Sequence, residues 1–195
     1  MQIPYSTEVR PDTGLSNGTL GMWLFIASEV MFFGALFSAY ALLRTGSTEW
    51  PNGSERLGAT LAAANTVVLT ASSVTMVRGS RAAAAARRRP ARGLLAVSAG
   101  LGLLFLALKG YEWSTHIAAG DVPSTDTFMA IYYALTGVHA LHVLGGVFVV
   151  AYLSATAPPV DPDTGRFASR VRLAGVYWLF VEAVWLILFA TVYLL

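Results

Sequence analysis

The chain has 195 residues, 55% hydrophobic and only 12% charged, with a net charge of +2. Soluble domains carry about 25% charged residues, so this composition excludes an ordinary soluble domain, and the mean hydropathy of +0.59 points to a membrane. The chain has no cysteine, which excludes a disulfide framework, thiolate zinc sites, iron–sulfur clusters and covalent c-type haem attachment.

Residues 1–18, MQIPYSTEVRPDTGLSNG, are polar and lack a basic leader region. The apolar run after them has no small-residue cleavage site, so it reads as a permanent anchor and not as a cleaved signal. Five apolar segments follow, at 20–43, 57–77, 93–111, 128–153 and 171–194. Each reaches about the 20 residues that a helix needs to cross a bilayer. The eight prolines fall outside them, which predicts uninterrupted helices joined by turns. Segments this long and continuous do not suit barrel strands, and an open sheet cannot satisfy its backbone in lipid. The expected fold is all-α: one integral membrane bundle of five transmembrane helices over residues 1–195.

Charge sets an orientation. The connection after the second span carries Arg78, Arg81, Arg87, Arg88, Arg89 and Arg92 without an acid, and the one before the fifth span carries Arg166, Arg170 and Arg172. The positive-inside rule places these and the N-terminus in the cytoplasm, and the C-terminus on the periplasmic side. A lipid- or nucleic-acid-binding reading of the arginines adds nothing that this topology signal does not explain; no nucleic acid is expected as a partner. In the second span, Gly58, Ala62, Thr66 and Thr70 recur every four residues, an expected packing face.

The ionisable groups inside the spans are Glu29, Lys109, Glu112, His139, His142 and Glu182. Charge at membrane depth is costly and is kept for a reason. Helix rise places Glu29, Glu182 and His139 near mid-membrane, with His142 one turn from His139, so acid–imidazole hydrogen bonds between helices are expected. Thr136, His139 and His142 share a face, and Gly145 and Gly146 just beyond would allow close packing. Lys109 and Glu112 lie near the outer end of the third span as an interfacial pair, set to bond each other or to snorkel. From residue chemistry alone several uses stay open: a carboxylate–histidine metal site (without the Glu-x-x-His motifs of a di-iron bundle), haem ligation, a proton relay for transport, or helix locking with no chemistry.

Four stretches carry a resemblance. GMWLFIASEVMFFGALFSAYALL resembles the signature helix of subunit III of the haem–copper terminal oxidases, with its buried glutamate at Glu29. ALTGVHALHVLGG resembles that family's Gly-x-His-x-x-His helix, at His139 and His142. LKGYEW and YWLFVEAVWLILFATVYL are similar to two further spans, in the family's order. The resemblance covers nearly the whole chain and corresponds to the short, five-helix bacterial form. Leu179 and Glu182 stand where the closing motif usually has histidine and aspartate, and the two helices that complete the family's lipid cleft are not in this sequence. The resemblance implies a non-catalytic subunit of a proton-pumping oxidase of the bacterial inner membrane that reduces oxygen to water, a cytochrome c oxidase, with a quinol oxidase or a nitric oxide reductase as the alternative. It implies haem and copper in partner subunits, subunit I as main contact among other oxidase subunits, membrane lipid as neighbour with phospholipid as a ligand, and a supporting role in proton uptake for Glu29, His139, His142 and Glu182.

Overall fold

The computed structural model describes residues 8–157 and 165–195. Pro4, Pro158, Pro159 and Pro162 lie outside the described residues. The elements are α1 (Asn17–Gly46), α2 (Gly53–Leu57), α3 (Ala59–Ala84), α4 (Arg88–Ala118), α5 (Thr127–Ala155) and α6 (Arg166–Leu188), the last continuing as a π-helical turn, Phe189–Leu194. Five of these helices are long and apolar enough to cross a membrane, and the described residues contain no strand.

Local sequence explains where the helices begin. The Ser16 Oγ accepts a hydrogen bond from the Thr19 N–H, and the Asp126 Oδ1 accepts from the Met129 N–H at 2.8 Å, each satisfying a donor that the first turn leaves free. Asn52 caps α2 in the same way. Gly58 then takes φ +72°, a left-handed conformation that suits glycine, and turns the chain into α3. Between α3 and α4 the turn is tight: Ala85–Arg87 connect them, and Ala86 adopts φ +57°. The arginine-rich segment is therefore mostly helix, with Arg78 and Arg81 on the last turns of α3 and Arg88, Arg89 and Arg92 on the first turns of α4. Pro90, expected between spans, lies in the first turn of α4, where a missing N–H costs nothing.

Helices α3 to α6 form the core, and α1 leans on α5 and α6 from outside, with most of its surface exposed. Trp178 of α6 is the keystone. Its indole fills notches at Gly102 of α4 and Gly146 of α5, where an added Cβ would lie 2.8 Å from the ring in each case. Gly145, by contrast, faces open space. The packing stripe of α3 is Ala62, Asn65, Leu69, Ser72, Met76, Gly79 and Ala83. The four-residue stripe expected from sequence holds only in part: Gly58 precedes the helix, Ala62 is buried, and Thr70 is exposed. A spacing of four drifts roughly 40° per step around a 3.6-residue helix, so a straight seam alternates threes and fours.

Candidate functional site

The most buried charge lies where α4, α5 and the π turn meet. Lys109 and Glu112 are one helical turn apart, with side chains 1% and 2% exposed, and the Lys109 Nζ donates to the Glu112 Oε1 at 2.9 Å. The Tyr132 and Tyr193 hydroxyls donate to the same oxygen at 2.6 and 2.7 Å. Lys109 also contacts both hydroxyls, and its Nζ stands 4.8–5.4 Å from the ring centres of Tyr132, Trp185 and Tyr193. The ammonium thus has a carboxylate, two phenols and three aromatic faces in place of water, which a buried ion pair requires to be tolerated. Of the two outcomes open to the pair, bonding is the one realised, and snorkelling is not. The physical reason is that both side chains face α5 and the π turn, where the Tyr132 and Tyr193 hydroxyls take the place of water; α4 itself runs seven residues beyond the expected end at Tyr111, to Ala118.

A second centre joins α1 to α5. The His142 Nε2 and Glu29 Oε2 stand 2.9 Å apart, and the other ring nitrogen, Nδ1, lies 2.8 Å from the Val138 carbonyl. A carbonyl only accepts, so Nδ1 carries a proton. The contact at Nε2 then holds one shared proton, on a carboxylic acid facing a neutral ring or on an imidazolium facing a carboxylate. Both arrangements are neutral overall. Phe33 lies edge-on to the imidazole at 5.0 Å, and the Tyr177 hydroxyl of α6 donates to the His142 carbonyl at 2.9 Å.

The expected four-residue layer does not converge. His139 is buried, stacked on Trp185 at 5.3 Å and edge-on to Phe105, and neither ring nitrogen has a hydrogen-bond partner. The two histidines share a sequence motif but not a direction: each three-residue step turns the helix back by about 60°, so His139 points into the α3–α6 core and His142 toward α1. Glu182 makes no hydrogen bond or ion pair among the described residues. No group of three or more His, Asp or Glu among the described residues stands close enough to hold a metal ion, so Glu29, Glu182, His139 and His142 do not assemble into the metal site that their residue types allow.

Sequence reasoning missed Tyr132, Tyr193 and Asn65. Asn65 of α3 is fully buried and donates to the Phe105 carbonyl at 3.3 Å. The missed signal was the demand side: a Lys-x-x-Glu pair in an apolar helix needs further hydrogen-bond donors, and Tyr132 and Tyr193 are phenols in neighbouring spans.

Outside the spans, at the end opposite the arginine-rich turn, the Arg56 guanidinium bridges Asp121 at 3.0 Å and Asp126 at 2.7 Å. Burial works against both charges, yet the two carboxylates hold Arg56 above its ordinary value, and the Met129 N–H with Arg56 holds Asp126 below its own. At the arginine-rich end, an apolar groove of about 810 Å³ runs between α1, α5 and α6, lined by Phe25, Gly145, Phe148, Tyr152 and Tyr177, with Arg170 beside them.

Comparison with known proteins decides the family. The profile of the family described as cytochrome c oxidase subunit III matches residues 11–195. The chain belongs to that family. Among its relatives, a probable cytochrome c oxidase subunit 3 from Nocardia farcinica is 35% identical, covering 94% of this chain and 89% of its own length. A haem–copper oxidase subunit I+III from Aeropyrum pernix is 33% identical over 89% of this chain, the match spanning 22% of that longer protein. A cytochrome bo(3) ubiquinol oxidase subunit 3 from Pseudomonas putida is 29% identical over 90% of this chain and 84% of its own. Haem–copper oxidase subunit III is thus the class of the chain, and its five apolar helices are those of a multi-pass membrane protein.

Proposed function

We propose that this chain is the accessory subunit III of a bacterial proton-pumping oxidase that reduces oxygen to water with cytochrome c as electron donor. The family match across residues 11–195 carries this reading, and the Nocardia farcinica relative supports the cytochrome c form. The Pseudomonas putida relative favours a second reading, in which the donor is a quinol. In either case haem and copper sit in partner subunits, and this chain supplies no reacting group. Subunit I is the partner, a reading supported by the fused I+III relative, in which both parts share one polypeptide.

In this reading the chain crosses the inner membrane five times, with the arginine-rich α3–α4 turn and the N-terminus in the cytoplasm and the C-terminus in the periplasm. The Glu29–His142 pair keeps α1 docked without a net charge in lipid, and the Lys109–Glu112 centre fixes the periplasmic ends of α4, α5 and α6. The two centres together hold the shape that subunit I meets and so sustain proton uptake through repeated turnover, with His139 inside the core and Glu182 on its rim. The groove at Phe25, Tyr177 and Arg170 accepts one phospholipid: apolar walls for an acyl chain and a cation at the cytoplasmic headgroup level.

Affinity purification through this chain tests the reading. Co-purification of a haem-bearing large subunit with a dinuclear-copper subunit supports the cytochrome c form, and a large subunit without that copper centre supports the quinol form. A chain that purifies alone and drives ion flux in liposomes would contradict both.

A further inference from the structure

Three acids lie inside the described membrane-spanning helices: Glu29, Glu112 and Glu182. Two have partners in this chain, His142 for Glu29 and Lys109 with two tyrosines for Glu112. Glu182 has none among the described residues. It lies ten residues beyond Arg172, about 15 Å of helix rise, which is mid-membrane. It is half-buried, on the rim of α6 between the buried Trp178 and Trp185 and the exposed flank of Leu179 and Leu186, which are 44% and 45% exposed. Helix α3 packs against α6 here, its Thr66 accepting from the Trp185 indole at 2.9 Å, and Val67, Thr70 and Val74 of α3 are exposed, within about 100° of Thr66 around the helix.

A carboxyl group in hydrocarbon with no partner costs several kcal/mol, and such groups face a protein neighbour or a water-filled cavity. The outer flank of α5 does not share this feature: Leu141 and Phe148 there are each 67% exposed and apolar. We infer that the α3–α6 face around Glu182 is an interaction surface for a transmembrane helix of the large oxidase subunit that presents a hydrogen-bond donor at mid-membrane. This rests on the oxidase reading above and adds which face is used and what chemistry the partner supplies. A hydroxyl, indole, imidazole or cationic side chain meets the requirement; an apolar helix or an acyl chain does not.

The test is photo-crosslinking in the intact, detergent-purified complex. A benzophenone amino acid is placed at position 186, or at position 148 as control. Position 186 is expected to crosslink to the haem-bearing subunit and position 148 is not. In parallel, Glu182→Leu is expected to lower the fraction of this chain retained through a detergent wash by roughly three- to twentyfold, the range for one membrane hydrogen bond, while Glu182→Gln keeps it. Crosslinks from 148 alone, crosslinks from 186 only to lipid or to a second copy of this chain, or wild-type retention of Glu182→Leu would each overturn the proposal. Absence of any haem-bearing subunit from the wild-type preparation would instead overturn the oxidase reading on which it rests.

Discussion

The Glu29 Oε2 and the His142 Nε2 lie 2.9 Å apart across the α1–α5 contact, and they share one proton because the Val138 carbonyl fixes the proton on Nδ1. Helix α1 has few buried residues, Thr19, Ile26, Phe33 and Tyr40, and its ends are tied by Arg172 to Thr19, by Tyr40 to the Thr191 carbonyl and by Arg44 to the Leu195 carbonyl, so the Glu29–His142 bond is its mid-helix attachment. Glu29→Ala is expected to weaken α1 docking by about 1–2 kcal/mol, to leave the haem spectrum of the complex intact, and to shorten its working lifetime. Glu29→Gln, which can still donate to Nε2, is expected to lie near wild type. Thermal unfolding with absorbance spectroscopy reads both.

Because that proton sits in an apolar setting, a lipid-soluble carbodiimide is expected to label Glu29 ahead of Glu49 and Glu55, both outside the spans. Mass spectrometry of peptides from the labelled complex checks this. Labelling confined to Glu49 or Glu55 would show that Glu29 is ionised in the membrane.

The Lys109–Glu112 centre behaves as a unit. Removing one charge leaves the other buried, so Lys109→Met alone or Glu112→Leu alone is expected to cost about 3–5 kcal/mol. The double substitution is expected to recover most of that loss. Additive losses in the double-mutant cycle would mean that the two side chains act independently.

The Trp178 notch makes a steric prediction. Gly146→Ala forces a Cβ against the indole and is expected to cost about 1–3 kcal/mol. Gly145→Ala, one residue away and facing open space, is expected to be close to neutral. Denaturation of the two variants side by side decides it.

The Arg56 clasp predicts a pH effect outside the membrane. Asp126 is held below its ordinary value of 3.8, so it stabilises the fold above that value, and the contribution is lost as pH falls through the lower, folded-state value. Arg56 is raised and stays charged throughout, so it adds no pH dependence at neutral pH. Wild type is expected to lose stability on acidification below about pH 4 by more than Asp126→Asn does, as measured by thermal unfolding against pH.

The five spans were legible because hydropathy over 20 residues is a strong signal. Their ends were not: Arg88 to Arg92 looked like loop and are helix, and Glu112 looked interfacial and is buried, because helices continue past the apolar stretch when caps and packing allow. The acid–imidazole bond was legible as a type, since Glu29 required a donor. That the donor would be His142 and not His139 depends on which way each face of α5 turns once packed. The π turn that brings Tyr193 to Lys109 left no mark in the sequence; close packing at Gly146 was legible, but not that Trp178 would fill it together with Gly102.

The central claim is that this chain supports an oxidase without doing its chemistry. The most direct measurement is oxygen consumption by the purified complex, with and without this chain, followed through to inactivation under saturating electron donor. The claim predicts the same haem content and a similar initial rate, with far fewer turnovers before inactivation when the chain is absent. An initial rate that vanishes on its removal, or haem or copper lost with it, would contradict the claim.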